Sequence, residues 1–289
     1  MVRKFFAFLL TMKIMENGIH AKKSLGQNFL KDGEIIAEIL RVAEVGPEDH
    51  VFEIGPGTGA LTKKLVGRVA HVFAIELDHQ LAGRLEKHFK ESQGFSILEG
   101  NVLELNLNEV LAHAGCQNGQ YKVVANIPYY ITAPIIRTLL SLKLQPKSLT
   151  LMVQKEVAER MTAKPGDMSL LSLMVQYYSD AQIAFLVPRL AFDPIPEVDS
   201  SVIHLIPKRP FDPSVDRKVF RFARAGFAAR RKTLTNNLAS SFHLSREQLL
   251  KIFEQMGLSS DIRAQALSVE DWEKLAVELT PLLDEETLS

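Results

Sequence analysis

The sequence predicts an α/β fold: a seven-stranded, mostly parallel sheet with crossover helices, followed by a smaller all-helical unit. Three observations carry this prediction. Short apolar runs alternate with helix-period segments between residues 34 and 207. Two late runs surround a proline-rich loop, and from Asp216 onward only helical spacing remains.

Taken in order, strands are expected near Val51–Ile54, Val69–Glu76, Phe95–Glu99, Tyr121–Ala125 and Leu149–Val153, with helices filling the gaps. The runs Gln182–Val187 and Val202–Ile206 are expected to close the sheet as a hairpin that includes an antiparallel strand. Arg209, Pro210, Asp212 and Pro213 form a natural boundary. Beyond it Val219, Phe222, Ala223, Gly226 and Phe227 share helical spacing, and Leu249, Leu250, Ile252 and Phe253 form another such segment. The expected organisation is an N-terminal extension over 1–21, a sheet domain over 22–209 and a helical domain over 210–289.

A chain of 289 residues, 46% hydrophobic, can bury one large core and a smaller one. The single cysteine, Cys116, excludes an internal disulfide, and no Cys-x-x-Cys or close histidine pair offers a zinc site. A reducing cytoplasm is the expected compartment. Residues 5–12, after Arg3 and Lys4, superficially resemble a signal peptide, but the run is short and no small-residue cleavage site follows. Met12 and Met15 are alternative starts. No stretch is long enough for a transmembrane helix, so no membrane partner is expected.

Formal net charge is zero, yet its distribution is uneven. Nine basic residues between Lys208 and Lys232 face only Asp212 and Asp216, a local excess of +7, whereas the last twenty residues are acidic. A basic face for phosphates and a solvated helix surface explain this charge equally well.

Two motifs carry chemistry. Glu53-Ile54-Gly55-Pro56-Gly57-Thr58-Gly59 falls where a buried strand turns into a helix, and its glycines let a ligand approach the backbone closely. A dinucleotide fingerprint would place its third glycine at position 60, which is alanine here, so the Gly-x-Gly-x-Gly spacing favours S-adenosylmethionine over NAD. Glu76 ends the next strand, about twenty residues after the first glycine, where a carboxylate accepts hydrogen bonds from ribose hydroxyls.

The second motif, Asn126-Ile127-Pro128-Tyr129, follows the fourth strand, whose carboxyl end in an open parallel sheet faces the ligand crevice. An adenine amine is a weak nucleophile because its lone pair is delocalised. The Asn126 oxygen and a backbone carbonyl near Pro128 can accept both amine hydrogens, and Tyr129 can stack on the base. Phe192, opening the stiff loop Phe192-Asp193-Pro194-Ile195-Pro196-Glu197-Val198-Asp199-Ser200, is expected to close the other face of the base. An ordinary turn and a core-filling aromatic are the plainer explanations of either piece alone.

Together with Gly26-Gln27-Asn28-Phe29-Leu30, Gln154-Lys155-Glu156-Val157, Arg230-Arg231-Lys232-Thr233-Leu234 and Asn236-Asn237-Leu238, these pieces resemble the KsgA-type ribosomal RNA adenine N6,N6-dimethyltransferases from about Lys22 to Trp272. The resemblance implies a Rossmann-like methyltransferase domain and a helical domain that helps hold RNA. It implies two methyl transfers from S-adenosylmethionine to each of two adjacent adenines of small-subunit 16S rRNA, by a monomer. It also implies that Asn28, Leu30, Gly55, Gly57, Glu76, Asn101 and Asn126 line the cofactor site. One departure is Asn101, where such enzymes usually carry Asp; the lost charge is expected to cost on the order of 1 kcal/mol of cofactor binding. A relative that methylates large-subunit RNA shares the Gln-Asn-Phe-Leu and Asn126 motifs, and a non-catalytic assembly factor is a reading of a different class.

Overall fold

The computed structural model describes Lys22 and residues 26–283. The expected 1–21 extension, with Met12 and Met15, and the acids Asp284, Glu285 and Glu286 lie outside the described residues.

Seven strands form the main sheet: β2 (His50–Ile54), β3 (His71–Glu76), β4 (Phe95–Glu99), β5 (Tyr121–Asn126), β6 (Ser148–Gln154), β7 (Ser179–Val187) and β9 (Ser200–Pro207). Their order is β4-β3-β2-β5-β6-β9-β7, and β9 alone runs opposite in direction to the other six. The expected strands are all present and end within a few residues of their predicted limits. The largest change at a strand start among the first five is in β3. Val69 pairs with Val66 in an isolated bridge, and the strand begins at His71.

Burial explains the apolar runs. In β5 every residue from Tyr121 to Ala125 is buried, as a central parallel strand covered on both faces requires. Edge strand β7 instead alternates exposed and partly buried positions along most of its length. Helices cover the sheet: α1 (Gly33–Val42), α2 (Thr62–Leu65), α3 (His79–His88), α4 (Leu107–His113), α5 (Thr132–Leu140), α6 (Lys155–Met161) and α7 (Leu170–Tyr178). The N-caps of α1 and α3 are Asp32 and Asp78, whose carboxylates accept the free N–H groups of the first turn.

A second, two-stranded sheet escaped the sequence reading. β1 (Phe29–Leu30) pairs antiparallel with β8 (Phe192–Asp193), with Leu30 opposite Phe192. Two-residue strands have no readable period, and this pair joins segments far apart in the chain.

The helical unit comprises α8 (Pro213–Gly226), α9 (Leu234–Phe242), α10 (Arg246–Gln255) and α11 (Val269–Leu279). Its core is continuous with that under the sheet: Leu173, Tyr177 and Tyr178 belong to one buried cluster with Phe222, Trp272 and Leu275. Buried Asp216 accepts hydrogen bonds from the hydroxyls of Tyr177 at 2.9 Å and Tyr178 at 2.7 Å. The Arg209 guanidinium lies 4.0 Å from the Tyr177 ring centroid and pairs with Glu273 on α11. The boundary read at Arg209–Pro213 is thus a change of element type across a shared core.

Candidate active site

In the sheet order the chain runs outward from β2 to β4, then returns to place β5 on the other side of β2. That reversal opens a crevice at the carboxyl ends of β2 and β5. A cavity of about 980 Å³, counted out to its open mouth, occupies it. Asn28, Leu30, Gly55, Gly57, Glu76, Asn101, Asn126, Pro128 and Tyr129 all line it, together with Glu53 and Tyr130.

The floor is the glycine turn. Gly55, Gly57 and Gly59 have φ of +64°, +58° and +79°, a region that side chains rarely adopt. A Cβ at Gly57 would lie 3.2 Å from the Phe29 ring, and one at Gly59 would lie 2.6 Å from Leu85. Here glycine serves both the turn and the close packing around it.

Glu76 is buried, and backbone N–H groups orient its carboxylate: Gly57 donates to Oε2 and Asp78 to Oε1, each at 2.9 Å. Each carboxylate oxygen retains a second lone pair for a ribose hydroxyl. Burial pushes its pKa up, and those backbone bonds partly offset the rise. Glu53 is more extreme. Fully buried, it is pushed up to about 8, chiefly by desolvation and also by nearby Glu76, although the Thr62 hydroxyl donates to it at 2.8 Å.

Across the cavity, Asn126 Nδ2 donates to the Asn28 carbonyl at 3.3 Å. A carbonyl only accepts, so this contact assigns Nδ2 to the Asn28 side and makes Oδ1 the outward acceptor. The Pro128 carbonyl receives the Ile131 N–H and the Thr132 hydroxyl, both at 3.3 Å, leaving the Ile127 carbonyl as the candidate second acceptor. The Tyr129 hydroxyl lies 2.6 Å from Ser200 Oγ. Burial raises its pKa, so this is a contact between two neutral hydroxyls.

Asn101 faces the cavity but has other engagements. Its Oδ1 accepts the Leu103 N–H at 3.1 Å, and its Nδ2 donates to Glu104 at 2.7 Å.

Phe192 departs from the expectation. Its ring is 0% exposed and packs in a core cluster with Leu30, Val187 and Val202, and it does not line the cavity. Pairing with Leu30 turns the ring inward, a consequence of the small β1–β8 sheet that the sequence reading lacked. The loop's link to the site runs instead through Ser200. The aromatic exposed on the cavity wall is Tyr130, 55% exposed, beside the half-buried Tyr129. Its position directly after Tyr129 was the available signal, and Ser200 was legible only as the end of the loop motif.

A doubly wound sheet with a glycine turn, a buried strand-end carboxylate and an outward amide oxygen in one crevice defines a class I methyltransferase that uses S-adenosylmethionine. The ribosomal RNA adenine dimethylase model matches residues 18–280, and the chain belongs to that family. It is 42% identical over 262 residues to the ribosomal RNA small subunit methyltransferase A of Dehalococcoides mccartyi (strain CBDB1), spanning 90% of this chain and 89% of the relative. It is 40% identical over 279 residues to the protein of that name from Bacillus cytotoxicus, spanning 94% and 96%. Among solved structures, a dimethyladenosine transferase from Plasmodium falciparum superposes with a TM-score of 0.75 at 26% identity, covering 88% of this chain and 98% of that one. The 23S rRNA methyltransferase ErmE shares the fold, with a TM-score of 0.65 at 24% identity, covering 87% and 99%.

Proposed function

We propose that this protein transfers methyl groups from S-adenosylmethionine to N6 of two adjacent adenines near the 3′ end of 16S rRNA in the small ribosomal subunit, dimethylating each as part of subunit assembly. The observation that carries this reading is Asn126, held with Oδ1 outward at the carboxyl end of β5 across one cavity from Glu76.

In this reading Glu76 and the glycine turn hold the cofactor, whose sulfonium supplies an electrophilic methyl group. Asn126 Oδ1 and the Ile127 carbonyl accept the adenine amine hydrogens and favour a pyramidal nitrogen with its lone pair toward that methyl. The amine so held would take that methyl group from the sulfonium and would release one N6 proton to water. Tyr129, steadied by Ser200, stacks on a base drawn out of the RNA. No strong base is required, because alignment supplies much of the rate.

Charge supports an RNA substrate. On and after α8, Arg217, Lys218, Arg224, Arg230, Arg231 and Lys232 are exposed, and none pairs with an acid among the described residues. Such free cations suit a phosphate backbone. The small subunit is favoured over the large because the relatives at about 40% identity carry the small-subunit name, whereas ErmE stands at 24%. No helix among the described residues is long and apolar enough to cross a membrane. We place the protein in the cytoplasm, acting as a monomer.

The test is transfer of radiolabelled methyl to undermethylated small and large subunits, with nuclease digestion to identify the nucleoside. Dimethyladenosine in small-subunit RNA is the expected product. Label confined to large-subunit RNA would overturn the substrate assignment. Rescue of subunit assembly by inactive Glu76→Ala protein would assign a binding role alongside catalysis.

A further inference from the structure

Residues 26–31 cross the cavity as a strap fixed at both ends. Downstream, β1 pairs with β8 and the Lys31 N–H donates to the Ala191 carbonyl at 2.9 Å. Upstream, the Gln27 amide donates to Asp78 Oδ2 at 3.2 Å, and Lys22 Nζ reaches the same oxygen at 2.8 Å. Gln27 Oε1 accepts the Lys22 backbone N–H at 2.8 Å, which closes the triangle. Between these fixings the Asn28 carbonyl receives Asn126 Nδ2.

Asp78 does not line the cavity, and its side chain is only 3% exposed. Its two oxygens divide their work. Oδ1 accepts the Gln80 N–H at 3.0 Å and caps α3, while Oδ2 is the strap's anchor. Its backbone N–H meanwhile donates to the ribose-type carboxylate Glu76. The Lys22 ion pair and the Gln27 bond hold the Asp78 carboxyl below its usual range, despite the opposing effect of burial.

Were Asn126 turned by half a revolution, its Oδ1 would face the Asn28 carbonyl, two acceptors together, and its amide N–H groups would face the amine to be methylated. The strap's position therefore selects which way the amide points. We infer that Asp78 is a positioning residue for methyl transfer: through Gln27 and Lys22 it holds the strap where the Asn28 carbonyl fixes Asn126 with Oδ1 toward the substrate amine. This rests on the reading of Asn126 as the acceptor for that amine.

Asp78→Asn tests it, because asparagine caps a helix about as well as aspartate, but with its oxygen on the cap its strap-facing atom is Nδ2, a donor that accepts from neither Gln27 nor Lys22. Lys22→Met removes the ion pair without touching the cavity wall. Both variants are expected to melt within a few degrees of wild type. At saturating cofactor and RNA, turnover should fall on the order of tenfold for Asp78→Asn and less for Lys22→Met, since small misalignments carry large rate costs. The side-chain amide resonance of Asn126, assigned by its absence from Asn126→Ala protein, should move or broaden in both variants. Unchanged turnover overturns the inference, as does slower turnover with an unmoved Asn126 resonance. If wild-type protein methylates no small-subunit RNA, the functional reading fails first; if it does and Asp78→Asn matches it, only this inference falls.

Discussion

The two walls of the cavity are held in different ways. On the wall proposed to hold the cofactor, Glu76 is oriented by backbone donors 19 and 2 residues away, Gly57 and Asp78, within one strand-turn-helix unit and the strand beside it. On the wall proposed to hold the substrate, Asn126 is held by a carbonyl 98 residues away and Tyr129 by a hydroxyl 71 residues away. The first wall is set by local chain geometry, the second by long-range packing. Binding of the cofactor should therefore tolerate loss of the strap's anchor on the Asp78 side chain, and changes in the Phe192 loop, better than turnover does.

The comparison is sharpest at Asn126. Asn126→Ala should lower turnover by roughly a thousandfold, at the upper end of what loss of one preorganised polar group costs, while calorimetry finds cofactor affinity within a few-fold of wild type. A parallel collapse of cofactor binding would show that the two walls are one unit. Glu76→Ala should do the reverse first, weakening cofactor binding by roughly 10- to 100-fold as a charged hydrogen-bond acceptor is lost.

Glu53 probes the cofactor wall through pH. Its folded value of about 8 lies above the ordinary carboxylate value of 4.5, so the folded state keeps a proton that the unfolded chain gives up. That contribution to stability is complete below 4.5 and is lost as pH climbs through 8. Glu53→Gln, a neutral group that still accepts from Thr62, should flatten the dependence, giving a higher urea midpoint than wild type near pH 9 and a similar one near pH 5. Identical profiles for the two proteins would rule out a proton on Glu53.

Phe192 separates packing from stacking. Phe192→Leu should cost about 1 kcal/mol of stability, in the range of well-tolerated hydrophobic swaps, with turnover within about threefold. A tenfold loss of turnover at unchanged melting temperature would return the ring to the base-stacking role its sequence position suggested. The smallest effect is expected at Asn101. Asn101→Asp restores a charged acceptor worth on the order of 1 kcal/mol, but Glu104 sits against that side chain and would repel it. Titration should show the gain in cofactor affinity only in Asn101→Asp with Glu104→Gln; an equal gain in the single variant would mean that Glu104 swings away.

Sequence by itself determined the seven strands, the mostly parallel sheet and the glycine turn. Short apolar runs, a period of 3.6 and a positive-φ turn are local properties, written in consecutive residues. It also pointed to Glu76 and Asn126 as candidates, which the fold brings to one cavity, because the carboxyl ends of parallel strands are where such a fold presents ligands. Tertiary structure alone decided which way those groups point. The carbonyl that orients Asn126, the hydroxyl that steadies Tyr129, the strap anchor at Asp78 and the inward turn of Phe192 come from segments that meet only when the chain has folded. Hydrogen bonds and packing between distant segments leave no period to read.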